Sequence, residues 1–177
     1  MVSLIKFYQG KTDNFSLNIG YYRVGKARAF IENVSSEDLL IEWDVTEVNR
    51  ITDIYIPKTS PELIDGYILN LQIDEDNVDQ IRREFWNHLI WGNFPPLPLL
   101  ILIPKKKKVG SVSRVDVLSA LSLIRLTDRP WEVFVNEEGV EEKIANWLKL
   151  TCMTFQRGME KKPLLKKIEQ QEKAEST

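Results

Sequence analysis

The sequence predicts an α/β domain whose sheet is mostly parallel after an N-terminal antiparallel hairpin. Three observations predict it. Short apolar runs of strand length recur at residues 66–73, 99–103 and 131–135. Segments with apolar residues three and four apart alternate with them, at 77–90, 113–121 and 138–153, and strands alternating with helices indicate a layered sheet. Ahead of these, residues 19–31 are rich in Tyr, Val, Phe and Ile, residues 39–45 alternate weakly, and the two flank the turn Ser35-Ser36-Glu37-Asp38, the pattern of a hairpin.

Each element has its own local reason. Residues 2–9 form a short apolar segment ending at Gly10, read as the last turns of a helix, and 11–16 follow as a loop. Residues 49–58 run toward Pro57 and Pro61 and read as a loop or broken turn. Asp74-Glu75-Asp76 places negative charge where the next helix dipole favours it. That helix, 77–90, aligns Val78, Ile81, Phe85 and Leu89 on one face. Pro95 and Pro98 bound strand 99–103, and Ser113 is an N-cap for a helix carrying Val117, Leu118 and Leu121. The final helix turns Val140, Ile144, Trp147 and Leu148 inward. The expected organisation is one domain, 1–153, and a charged helix or tail, 154–177.

The totals bound the class. Apolar residues make up 43% of the chain, enough for one core, and the net charge of -2 gives no reason to expect a nucleic-acid partner. A single cysteine, Cys152, excludes a disulfide framework and suits a reducing, intracellular setting. The N-terminus is too short and polar for a signal peptide and lacks the Met-Gly of myristoylation. The longest apolar run, 97–103, falls well short of the roughly 20 residues a membrane span needs.

Several blocks resemble, in order, the Arf/Arl family of small GTPases. Leu4-Ile5-Lys6-Phe7 to Gly10 and Leu17-Asn18-Ile19-Gly20 resemble the end of that family's first helix and its switch-one Pro-Thr-Ile-Gly. Glu42-Trp43-Asp44-Val45 resembles Val-Trp-Asp-Val, and Asp65-Gly66-Tyr67-Ile68-Leu69 resembles Asp-Gly-Leu-Ile-Phe. Residues 97–121 resemble the strand, guanine-reading loop and helix of its last third. Asp128-Arg129-Pro130-Trp131 resembles its Asp-Arg-Pro-Trp, and Glu138-Gly139-Val140-Glu141-Glu142 to Trp147-Leu148 its final helix. The resemblance spans about residues 3–150 and implies a three-layer sheet of the P-loop NTPase type. In that alignment the chain starts after the phosphate loop, so the central first strand is expected to be missing. A closed-up sheet, a partner strand or an alternative chain start would then account for the gap.

The resemblance carries the scaffold and loses the chemistry. Pro104-Lys105-Lys106-Lys107 stands where the family has Asn-Lys-x-Asp, and a lysine offers guanine donors where an acceptor is required. Thr46-Glu47-Val48 replaces Gly-Gly-Gln, and Asn18 replaces the switch threonine. Asp44 and Lys105 remain as vestiges of the nucleotide site. Gly10-Lys11-Thr12 mimics the end of a Walker motif without the glycine five residues earlier, where Ile5 stands. His88 and Cys152, each the only one of its kind, form no metal cluster or nucleophilic pair at family spacing.

No catalytic or metal-binding residue is therefore expected, and no cofactor. GTP or GDP with magnesium is the alternative. The resemblance implies an inactive Arf-like interaction or assembly subunit, of the kind serving membrane traffic or cilium-related complexes, in the cytoplasm or peripheral to a complex or membrane. The runner-up is a divergent GTP-binding trafficking regulator, and a third reading is an unrelated role on a shared fold. The switch-facing set Tyr21, Tyr22 and Trp43 is the expected partner contact, the aromatics matching Tyr21 and Trp43 lying on the family's effector face, with burial an equal reading for Trp43. Lys161, Lys162, Lys166 and Lys167 form either a solvated tail or a weak contact with a membrane surface or acidic partner.

Overall fold

The computed structural model describes residues 3–6, 15–27, 34, 39–55, 64–93, 95–105, 113–152 and 154–155. Six strands form one sheet: β1 (Ser3–Lys6), β2 (Phe15–Val24), β3 (Leu39–Val48), β4 (Gly66–Asn70), β5 (Leu99–Pro104) and β6 (Trp131–Asn136), in the spatial order β1-β3-β2-β4-β5-β6. β2 to β6 are mutually parallel, and β1 lies antiparallel on the outer edge of β3.

Three helices among the described residues cover the two faces. α1 (Val78–Glu84) continues in π-helical register through Phe85–Asn93. Ile81, Phe85 and Leu89 pack there on Tyr22, Tyr67, Leu69, Leu99, Ile101 and Val133, together with Val117 and Leu121 at α2 (Arg114–Ala120). On the opposite face α3 (Val140–Trp147), continued by Leu148–Cys152, buries Val140, Ile144, Leu148 and Cys152 against Leu17, Ile19, Tyr21, Trp43, Ile68, Leu100 and Leu102. Successive strand residues point to opposite faces. Strands covered on both sides therefore read as unbroken apolar runs, as Leu99-Leu100-Ile101-Leu102-Ile103 does.

The expected α/β class, the strands at β4, β5 and β6 and the helices after them are present. Ser113 caps α2 as expected: its hydroxyl accepts from the Asp116 amide, and its own amide donates to the Asp116 carboxylate at 2.8 Å.

Three expectations for the N-terminal third are corrected. Residues 3–6 are a strand, not a helix end; in that position they pair with backbone groups of β3 that would otherwise form an open edge. β2 and β3 are parallel, not a hairpin: Tyr21 faces Val45 and Val24 faces Val48 in the same direction. Their connection, residues 25–38, is long enough for the crossover that parallel pairing requires, about a dozen residues or more. No gap is left in the middle of the sheet. β2 pairs with β3 on one side and β4 on the other, so a central strand is in place.

Candidate functional site

In open parallel sheets ligands bind beyond the carboxyl ends of the strands, where the connections turn to opposite sides. The chain leaves β2 for β3 on one side and then crosses to β4 on the other. The corresponding position lies between the carboxyl ends of β2 and β4, at Arg23-Val24-Gly25-Lys26 and Asn70-Leu71.

This edge carries a motif that the sequence reading passed over. Gly20-Tyr21-Tyr22-Arg23-Val24-Gly25-Lys26-Ala27 has Walker spacing, with alanine where the motif requires Ser or Thr. The spacing is legible in the sequence, but there Gly20 also matches a switch glycine and Gly10-Lys11-Thr12 offers a competing Gly-Lys pair. Those three residues lie outside the described ones.

The geometry of this segment differs from a phosphate loop. A cradle needs successive backbone amides freed from the sheet and turned toward the anion. β2 instead runs straight on through Val24. Tyr21, Tyr22 and Arg23 are in register with β3 and β4 simultaneously, and Val24 is in register with Val48. The chain turns only at Gly25, whose φ of +67° suits glycine and whose amide donates to Val48 O at 2.8 Å. Lys26 follows, exposed, and Ala27 is buried at the position of the metal-binding hydroxyl. The space beside Gly20 is filled by the Tyr67 and Tyr22 rings. The residues present do not fit a nucleotide held in the Walker manner.

Other side chains at this edge are engaged with each other. Arg23 forms an ion pair with Glu47. Asn70, 1% exposed, donates from Nδ2 to Tyr21 Oη at 2.7 Å. Asp74 and Asn77 close the following turn, each accepting the other's amide at 3.1 and 2.9 Å. Lys105 is exposed just beyond β5, and Lys106 and Lys107 lie outside the described residues.

Asp44 lies on the α1/α2 face of β3, level with Gly20. Its Oδ1 is buried without a hydrogen-bond partner among the described residues. Burial, followed by the adjacent phenol Tyr67 and then the charge of Asp44, pushes the Tyr22 hydroxyl up. Tyr67 is pushed up to about 12, chiefly by burial. Both phenols stay neutral and serve as packing groups.

The residues expected to meet a partner are in the core. Tyr21 is 0%, Trp43 1% and Tyr22 7% exposed, and Tyr21 and Trp43 meet edge to face at 6.3 Å. Parallel pairing explains the burial: β2 and β3 have neighbours on both edges, Tyr21 and Trp43 lie in the core under α3, and Tyr22 lies in the core under α1, so none of the three presents a surface. His88 is half-buried with Nε2 3.0 Å from Ile54 O. Among the described residues no three metal-ligating side chains converge, and no helix is long and apolar enough to cross a membrane.

The blocks shared with the GTPase pattern have structural duties here. Asp65 accepts the Asn18 amide at 2.8 Å. Arg129, its side chain 2% exposed, donates to both Asp128 oxygens at 2.9 Å and to Pro95 O at 2.8 Å. Trp131 Nε1 donates to Leu126 O at 2.8 Å. Compared with known proteins, the chain matches no family model and no curated protein. Residues 161–167, with the lysines Lys161, Lys162, Lys166 and Lys167, lie outside the described residues.

Proposed function

We propose that this chain is an Arf-like pseudo-GTPase: a domain with the layered sheet of a small GTPase that acts as a protein-interaction or assembly subunit and does not hydrolyse GTP. A role in membrane traffic or cilium-related complexes follows from the family resemblance. One observation carries the reading. The strand that occupies the centre of the sheet keeps Gly20 to Arg23 in register with both neighbours and Val24 in register with β3, so among the described residues no run of freed amides is left to cradle a phosphate. The altered guanine loop, the absent Gly-Gly-Gln and Ala27 support it from the sequence side.

The test is calorimetric titration of the full chain with GTP and GDP in the presence of magnesium. No binding in the micromolar range or tighter is expected, and tight binding of either nucleotide overturns the proposal.

A second reading, a divergent GTP-binding regulator, draws on the exposed Lys26 placed after a glycine turn at the carboxyl end of the central strand. It requires Lys26→Ala to abolish nucleotide binding. An unchanged titration removes it.

A further inference from the structure

The face carrying α1 and α2 exposes an aromatic and cationic surface. Beyond Glu84 the helix widens to π register, in which residues five apart fall on one side. Trp86 and Trp91 are five apart and meet with ring centroids at 5.7 Å. Trp86 is fixed from below, its Nε1 donating to Leu121 O at 2.7 Å. The Arg125 guanidinium lies 6.0 Å from its ring centroid, within cation–π range. Trp91 is 69% exposed, and Ile124, next to Arg125, is 84% exposed.

The charge at this surface is unbalanced in a specific way. Arg23, Arg50, Arg82, Arg114 and Arg129 are each paired with a carboxylate. Among the described arginines, Arg83 and Arg125 have no such partner; Arg125 lies over the Trp86 ring, and Arg83 is on the same helix. Arg83 precedes Trp86 by three residues, which makes them neighbours on the helix surface. The carboxylates of the same helix do not cancel these charges, because Asp79 is held by Arg82 and Glu84 by Arg50.

We propose that Arg83, Trp86, Trp91, Ile124 and Arg125 form a docking surface for an acidic linear segment of a partner protein, with an apolar side chain of that segment seated on the indoles and carboxylates on the two arginines. Trp and Arg are the residue types that dominate binding energy at interfaces. A membrane fits this surface less well, because recognition of anionic lipid draws on about four to eight clustered basic residues. The proposal names a partner class for the interaction role proposed above and rests on that role only for its biological meaning. α1 leaves β4 at its carboxyl end and runs back along the sheet, so Trp91 lies toward the edge opposite Gly25-Lys26.

The experiment is selection from a random short-peptide library displayed on phage, against the immobilised full chain. Selected peptides are then titrated onto wild type, Trp91→Ala, Arg125→Glu and Ile124→Ser. Selected sequences are expected to place Asp or Glu beside an aromatic or aliphatic residue. Each variant should bind roughly tenfold or more weakly with an unchanged circular dichroism spectrum; Ile124, at 84% exposed, has little packing to lose. Failure to select any peptide, selected peptides without acidic bias, or unchanged binding to the variants overturns the proposal. So does cosedimentation with phosphatidylcholine–phosphatidylserine vesicles that Trp91→Ala abolishes, which assigns the surface to a membrane. A wild-type dimer that Trp91→Ala dissociates assigns it to a second copy and overturns it equally. Tight GTP binding would sink the pseudo-GTPase reading while leaving the peptide result in place.

Discussion

Tyr67 rests on Gly20 across the β2–β4 ladder: a Cβ built at Gly20 would lie 2.8 Å from Tyr67 Cδ1 and 3.3 Å from Tyr22 Cε2. The Tyr67 ring is 1% exposed and has no room to retreat. The glycine that opens the Walker-like spacing is thus required by packing between two rings. Gly20→Ala is expected to destabilise the fold by about 1–3 kcal/mol, the usual range for overpacking. Urea unfolding measures it, and a midpoint equal to wild type would show that the rings move aside freely.

The Tyr21 hydroxyl reaches from β2 to Asn70 at the carboxyl end of β4. Removing it leaves the ring in place and takes an acceptor away from a buried amide. Tyr21→Phe is expected to cost about 1–3 kcal/mol, the penalty for impairing a buried hydrogen bond. Combined with a variant at Asn70 in a double-mutant cycle, the loss should be less than additive. Strict additivity would mean that this bond contributes nothing to joining the two strands.

The residues that were legible from sequence are those whose cause is local. The apolar run of β5 implies burial on two faces, and Ser113 with Asp116 signals a helix start whatever surrounds it. The N-terminal third was not legible because its structure depends on distant partners. Nothing within residues 19–31 says whether residues 39–45 run parallel or antiparallel to them, and the expected empty centre came from aligning residues 17–20 with switch one, which leaves no segment for the central strand. The candidate site was missed for the same reason. Gly25-Lys26 is meaningful only once β2 is known to be the central strand, and Tyr21, Tyr22 and Trp43 look like surface aromatics only while it is not. Trp86 and Trp91 are two aromatics five apart, a spacing that shares a face in neither an ordinary helix nor a strand; the π register brings them together.

Cys152 lies at the end of the α3 continuation, fully buried, where a Cβ on Gly66 would meet its Sγ at 2.9 Å. Burial, with the charge of Asp65 second, pushes the thiol up to about 12. Since the thiolate is the reactive form, the native protein should resist Ellman's reagent at neutral and mildly alkaline pH and react completely in urea. As this is the chain's only cysteine, the labelling rate reports release of the last helix from β4. Fast labelling under native conditions would show that this helix opens on its own.

Arg129 sets an acid limit on stability. The Asp128 carboxyl is held below the usual carboxylate range, first by its hydrogen bonds from Arg129, an effect that outweighs its partial desolvation. A carboxylate whose pKa is lowered by folding stabilises the native state above its unfolded value, about 3.9. That contribution is lost as the pH falls through the unfolded value and on through the folded one. Half of the Asp128 side chain is exposed to solvent, so screening keeps the effect modest. Asp128→Asn should therefore lower stability slightly at neutral pH and flatten its decline in acid, so that the two unfolding curves converge below about pH 3. Parallel curves across that range would place the acid sensitivity in other carboxylates and leave Arg129 with only its bond to Pro95 O as a structural tie.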